Sequence, residues 1–161
     1  MSQIVEVAWE SLSKHGEELC GDWVKITTGE NSLNVVLSDG LGSGVKANIL
    51  ATLTTEIASS MLSQGIATDE VLETLAETLP ECQVRHLAYA TFAALHVVEG
   101  REAHLVEYDS EPLILVRDGQ VVDVPVVERQ VAGRAVREGR FTLQEGDVLA
   151  MVSDGYVHAG V

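Results

Sequence analysis

No stretch of this chain reaches the roughly 18 uninterrupted apolar residues that a membrane-spanning helix needs. The opening residues, MSQIVEVAWE, lack the basic start and following apolar run of a secretory signal, so a cytoplasmic location is the expectation. Basic residues are scarce: Lys plus Arg is 10 against 25 Asp plus Glu, a formal charge of −15. A surface of that sign repels nucleic acid and anionic lipid at long range, which argues against either as a partner. It also repels a phosphorylated substrate unless cations stand where the phosphate docks. Cysteine is limited to Cys20 and Cys82, with no CxxC spacing, so reduced and buried thiols are expected. The lysine-bearing GxxxxGK[ST] loop, GxGxxG and the GxSxG elbow are all absent. There is no low-complexity tract and no linker. The 161 residues fit one domain, 1–161, long enough to bury a core without staples.

Hydrophobic periodicity divides the chain into two kinds of segment. Gln3 to Trp9 alternates and reads as a strand, Asp22 to Thr27 as another, and Asn34 to Ser38 as a short buried one. After Gly40-Leu41-Gly42-Ser43-Gly44 the period becomes helical, with Ile49, Leu53 and Ile57 four residues apart and Leu50, Met61 and Leu62 widening the stripe. Ser43 suits the start of this helix and Gly65 its end. A second helix follows, capped by Thr68, with stripe Val71, Leu72, Leu75 and Leu79, stopped by Pro80. His86 to Val98, Glu102 to Tyr108, Leu113 to Arg117, Gln120 to Pro125, Phe141 to Leu143 and Val148 to Ser153 read as strands. Ala88, Ala90 and Ala94 are small enough to let a helix approach their face closely. Glu99-Gly100 and Asp118-Gly119 mark tight turns, while Val126 to Arg140 is charged, poorly periodic and expected to be irregular. Strands around one helical pair predict an α+β fold of packed sheets with helices on an outer face.

Two segments share one design: VVLSDGLGSG and LAMVSDGYVHAG each run an apolar strand into Ser-Asp-Gly. A strand end holds the Asp backbone rigidly, and the Gly turns the chain and bares its carbonyl. Asp39 and Asp154, brought together across a sandwich, would repel unless one stayed protonated or a divalent cation lay between them. All-oxygen ligands favour Mg²⁺ or Mn²⁺ over zinc. One Asp-Gly alone is an ordinary turn; the repeat is what points to a site. Asp22, in Leu19-Cys20-Gly21-Asp22-Trp23, taken alone is also a turn residue. His96 and His104 flank a turn and could face each other in a hairpin, but with no third ligand in view they read as ordinary strand histidines rather than a zinc pair. Cys20 has no activating base nearby in sequence.

SDGLGSG after an apolar strand and before a long helix resembles the hallmark of the stage II sporulation protein E-like branch of the PPM metal-dependent serine/threonine phosphatases. CGD near the start, AYATFAALHV, VEYDSEPLILVRDG and MVSDGYVHAGV occur in matching order. The resemblance implies an α-β-β-α sandwich with two Mn²⁺ or Mg²⁺ ions at one end. It places Asp39 as the aspartate bridging both metals, the Gly40 carbonyl as a backbone ligand, Asp154 as ligand of the other metal and Asp22 as an acidic residue acting mostly through water. Asp39 and Asp154 are thereby the catalytic pair, activating water against phosphoserine or phosphothreonine in a protein, often an antagonist of an anti-sigma factor. Such domains are switched by partner or sensor domains and by the helices beside the site, and a homodimer is one arrangement open to them. Leu41 stands where many eukaryotic relatives carry a histidine proposed as general acid. The family also closes with a helix and a strand bearing a further metal-binding aspartate. The chain ends at Val161 before them, so a C-terminally truncated domain is the expectation. Two other functions compete: a phosphatase-fold domain that docks without turnover, and a nucleotide-binding module using Gly40 to Gly44.

Overall fold

The computed structural model describes residues 3–11, 21–40, 44–78, 90–131 and 134–157, without the side chains of the last two. Its strands are β1 (Asp22–Thr28), β2 (Ser32–Gly40), β3 (Ala90–Val98), β4 (Glu102–Tyr108), β5 (Ile114–Arg117), β6 (Gln120–Val122), β7 (Val127–Val131), β8 (Arg134–Thr142) and β9 (Val148–Ala150). Its helices are α1 (Gly44–Ser63), α2 (Thr68–Thr78) and the short α3 (Asp154–Val157). Six strands form an antiparallel sheet in the order β1-β2-β3-β4-β8-β7, and three form a second in the order β6-β5-β9. This is the expected α+β sandwich.

Alternation along each strand sorts side chains to the two faces of the large sheet. Val36, Phe92, Ala94, Val106 and Val136 face α1 and α2 and pack with Ala58, Leu62, Val71, Leu72 and Leu75. Leu33, Leu95, Val97 and Leu105 face the small sheet and pack with Leu113 and Leu143. Ala90 and Ala94 are buried beneath the helices, as their size suggests. The two sheets are tied at Glu107, a buried carboxyl whose Oε2 accepts the amide hydrogen of Leu113 at 2.6 Å. Burial pushes its pKa up, against that bond and the nearby Arg137.

Several expectations need correction. Residues 3–11 form no strand; Ile4 and Trp9 are exposed, and one backbone bond from the Gln3 N–H to the Glu99 carbonyl, 3.4 Å, anchors the segment. Alternation without a partner strand does not make a ladder. Helix α1 keeps part of the expected stripe, with Leu62 buried and Leu50, Ile57 and Met61 packed against the core, but Ile49 and Leu53 are exposed while Ala47, Ala51, Thr54, Thr55, Ala58 and Ser59 are buried. A face of small residues lets the helix axis approach the sheet closely. The threonines satisfy their hydroxyls on their own helix, Thr54 to Leu50 O at 2.7 Å and Thr55 to Thr52 O at 2.9 Å. Val126 to Arg140 is largely a hairpin, β7 and β8, in which Arg129 and Glu138 pair across the strands instead of marking a loop. Strand β9 covers only three residues and Val148 is exposed, so the last strand is neither long nor buried.

Other local signals hold. The end of α1 is a Schellman turn: Gly65 has φ +77°, its N–H bonds Leu62 O, and the Ile66 N–H bonds Met61 O. Asp118 and Gly119, with φ +52° and +74°, close the β5–β6 hairpin. Thr68 does begin α2, but its hydroxyl donates to Glu138 Oε2 at 2.8 Å, so it docks the helix on the sheet. Ser43, Leu79, Pro80 and Ala88 lie outside the described residues.

Candidate active site

The antiparallel pairing of β1 with β2 sets Asp22 directly opposite Asp39. Alternation from Leu33 and Val35 puts both on the face that turns toward the small sheet. They stand at the end of the large sheet where β2 gives way to the segment before α1. The chain returns there after β9. Asp154 does not end a strand, contrary to expectation: β9 stops at Ala150, and Met151, Val152 and Ser153 separate it from Asp154, which opens α3.

The Asp39 carboxyl is half-buried and in hydrogen-bonding contact with both Asp154 and Asp22. Burial, then the bond to Asp154, then the charge and bond of Asp22 and the charge of Asp154 push its pKa up to about 8. Three acidic groups crowd one point, so a proton or a cation has to relieve them. Oxygen-only donors suit a hard divalent ion. Among the described residues, however, no three His, Cys, Asp or Glu side chains are gathered into a ready cage.

Two serines position this cluster, a role that the sequence alone did not assign. Ser153 Oγ donates to Asp22 Oδ2 at 2.7 Å, joining the segment after β9 to the start of β1. Ser38 Oγ donates to the Thr91 carbonyl at 2.8 Å and holds β2 on β3. The repeated Ser before each Asp-Gly was the available signal. Gly40 is required by packing: an added Cβ would lie 1.9 Å from the Ala47 carbonyl oxygen in the first turn of α1.

The remaining candidates fall elsewhere. His96 and His104 are cross-strand partners, as expected, and His104 Nε2 lies 2.6 Å from Glu138 Oε2. They sit on the helix-facing side of the sheet, away from the aspartates. Cys20, Cys82, Leu41, Gly42, Ser43 and His158 lie outside the described residues.

The family model for stage II sporulation protein E matches residues 29–160. The chain belongs to this family. Asp39 and Asp154 fall inside the matched stretch; Asp22 precedes it and joins them through the β1–β2 register. The fold is similar to the PP2C phosphatase domain of SpoIIE from Bacillus subtilis, with TM-score 0.72 and 23% identity over 89% of this chain and 44% of that one. It is similar to RsbX in complex with magnesium, with TM-score 0.70 and 20% identity over 96% of this chain and 79% of that one. The RsbU and RsbW domains of a Mycobacterium tuberculosis protein give TM-score 0.70 and 20% identity over 91% and 43%. This chain thus spans less than half of the SpoIIE structure it matches. No curated protein matches it by sequence.

Proposed function

We propose that residues 1–161 form one phosphatase-like domain that hydrolyses phosphoserine or phosphothreonine in a regulatory protein of the cytoplasm. The observation that carries this reading is the meeting of Asp22, Asp39 and Asp154, from three separate parts of the chain, at one end of the sandwich. Asp39 and Asp154, with Asp22 and the Gly40 carbonyl, would hold Mn²⁺ or Mg²⁺. Bound divalent ions supply a clamp for phosphate and a water of lowered pKa. They also supply the positive charge that a chain of net charge −15 otherwise lacks. Ser153 orients Asp22, and the β1–β2 register holds Asp22 against Asp39. The magnesium complex of RsbX supports the choice of metal, and membership of the family supports a regulatory protein, such as an anti-sigma factor antagonist, as substrate.

The test is cleavage of an aryl phosphate with Mn²⁺ and its loss in Asp39→Asn. Cleavage that survives a chelator sinks the proposal. A second reading is a phosphatase-fold domain that docks without turnover. Calorimetric titration with Mn²⁺ separates the two, since the docking reading expects a folded protein that takes up no metal.

A further inference from the structure

On the helix-facing side of the large sheet, a polar row crosses five strands. Thr27, Asn34, His96, His104 and Arg140 are successive cross-strand partners from β1 through β2, β3 and β4 to β8. Ser59 of α1 closes one half of it: its hydroxyl lies 3.3 Å from Thr27 Oγ1, and its carbonyl accepts from Asn34 Nδ2 at 3.2 Å. The other half opens into a cavity of about 490 Å³, because α1 ends at Ser63 and the chain turns away at Gly65. That volume lies in the range of small-molecule sites, roughly 300–1,000 Å³.

The acidic groups of this cavity are already engaged. Glu138 Oε2 accepts from Thr68 and pairs with His104, and its Oε1 accepts from Arg129 Nη1 at 3.0 Å. Arg129 Nη2 donates to Asp69 at 2.6 Å. The donors left over are different. His96 Nδ1 is buried without a hydrogen-bond partner, and Arg140, which also lines the cavity, makes no hydrogen bond or ion pair among the described residues.

We propose that this cavity binds the oxyanion of a small ligand, a carboxylate or a phosphate, between Arg140 and His96. The guanidinium fork matches two oxygens of such a group, and a protonated His96 donates from Nδ1 to a third contact. Without an anion, burial, then the charges of His104 and Arg140, hold the His96 pKa down. A bound oxyanion reverses the electrostatic part. The net charge of −15 opposes anions at a distance, so binding rests on these short contacts. The site is separate from the aspartates: His96 lies five residues along β3 from Thr91, the partner of Asp39, or roughly 16 Å at the usual strand rise.

Imidazole NMR of the full chain in chelator tests this, with inorganic phosphate and acetate titrated against chloride at equal ionic strength. His96→Gln assigns the resonance. The expected result is a saturable His96 shift and a higher His96 titration midpoint, both lost in Arg140→Gln, whose exposed side chain can change without disturbing the core. A response to phosphate alone identifies a phosphoryl ligand; a response to acetate identifies a carboxylate. No saturable shift with either probe, or an unchanged response in Arg140→Gln, overturns the proposal.

Discussion

Gly40→Ala probes the contact that joins the aspartate-bearing end of β2 to helix α1. The new Cβ would stand 1.9 Å from the Ala47 carbonyl oxygen, 2.6 Å from its carbonyl carbon and 2.8 Å from its Cα. All three are backbone atoms, so no rotamer change relieves the overlap. Restoring ordinary contact at 3.4 Å or more requires α1 to move bodily off the sheet. Overpacking typically costs about 1–3 kcal/mol, and an immovable neighbour places this one near the top, about 3 kcal/mol. Gly65→Ala is the comparison: nothing lies within 4 Å of its Cβ, but φ is +77°, so the loss is backbone strain of about 1 kcal/mol. Urea unfolding with matched m-values reads both. Because the clash is with backbone, Ala47→Gly does not rescue Gly40→Ala. A loss no larger than that of Gly65→Ala, or rescue by Ala47→Gly, would refute the reasoning.

Ser153→Ala removes the hydroxyl that orients Asp22, and Mn²⁺ affinity measured by calorimetry is expected to fall about tenfold with the fold intact. Glu138→Gln weakens the bonds to Thr68, His104 and Arg129, and should cost about 2 kcal/mol in urea unfolding while speeding hydrogen exchange at the start of α2. Asp147 has its pKa lowered by Arg117, and by the Gln144 amide, against burial. A depressed carboxylate stabilises the fold above its ordinary pKa of 3.8 and loses that contribution as pH falls through the folded value. Asp147→Asn should therefore be less stable than the parent at neutral pH, with the gap closing in acid; a gap independent of pH would contradict this.

The sequence by itself determined the parts that depend on local chemistry. Gly65, Glu99-Gly100 and Asp118-Gly119 turn where positive φ is required, and the repeated Ser-Asp-Gly marked Asp39 and Asp154. Order and spacing of the motifs were enough to recognise the family. Tertiary structure decided the rest. Only the β1–β2 register sets Asp22 opposite Asp39, because a register is a pairing between distant segments. The buried face of α1 could be read only in part from its large apolar residues: Leu50, Ile57, Met61 and Leu62 do face the core, but close packing on the sheet favours Ala47, Ala51 and Ala58 over Ile49 and Leu53. The charges of β7 and β8 looked like a loop because several of their partners, Asp69, Glu107 and Asp109, lie elsewhere in the chain. Residues 3–9 alternate like a strand, yet the bond from Gln3 to Glu99 does not extend into the ladder of hydrogen bonds that would make them one.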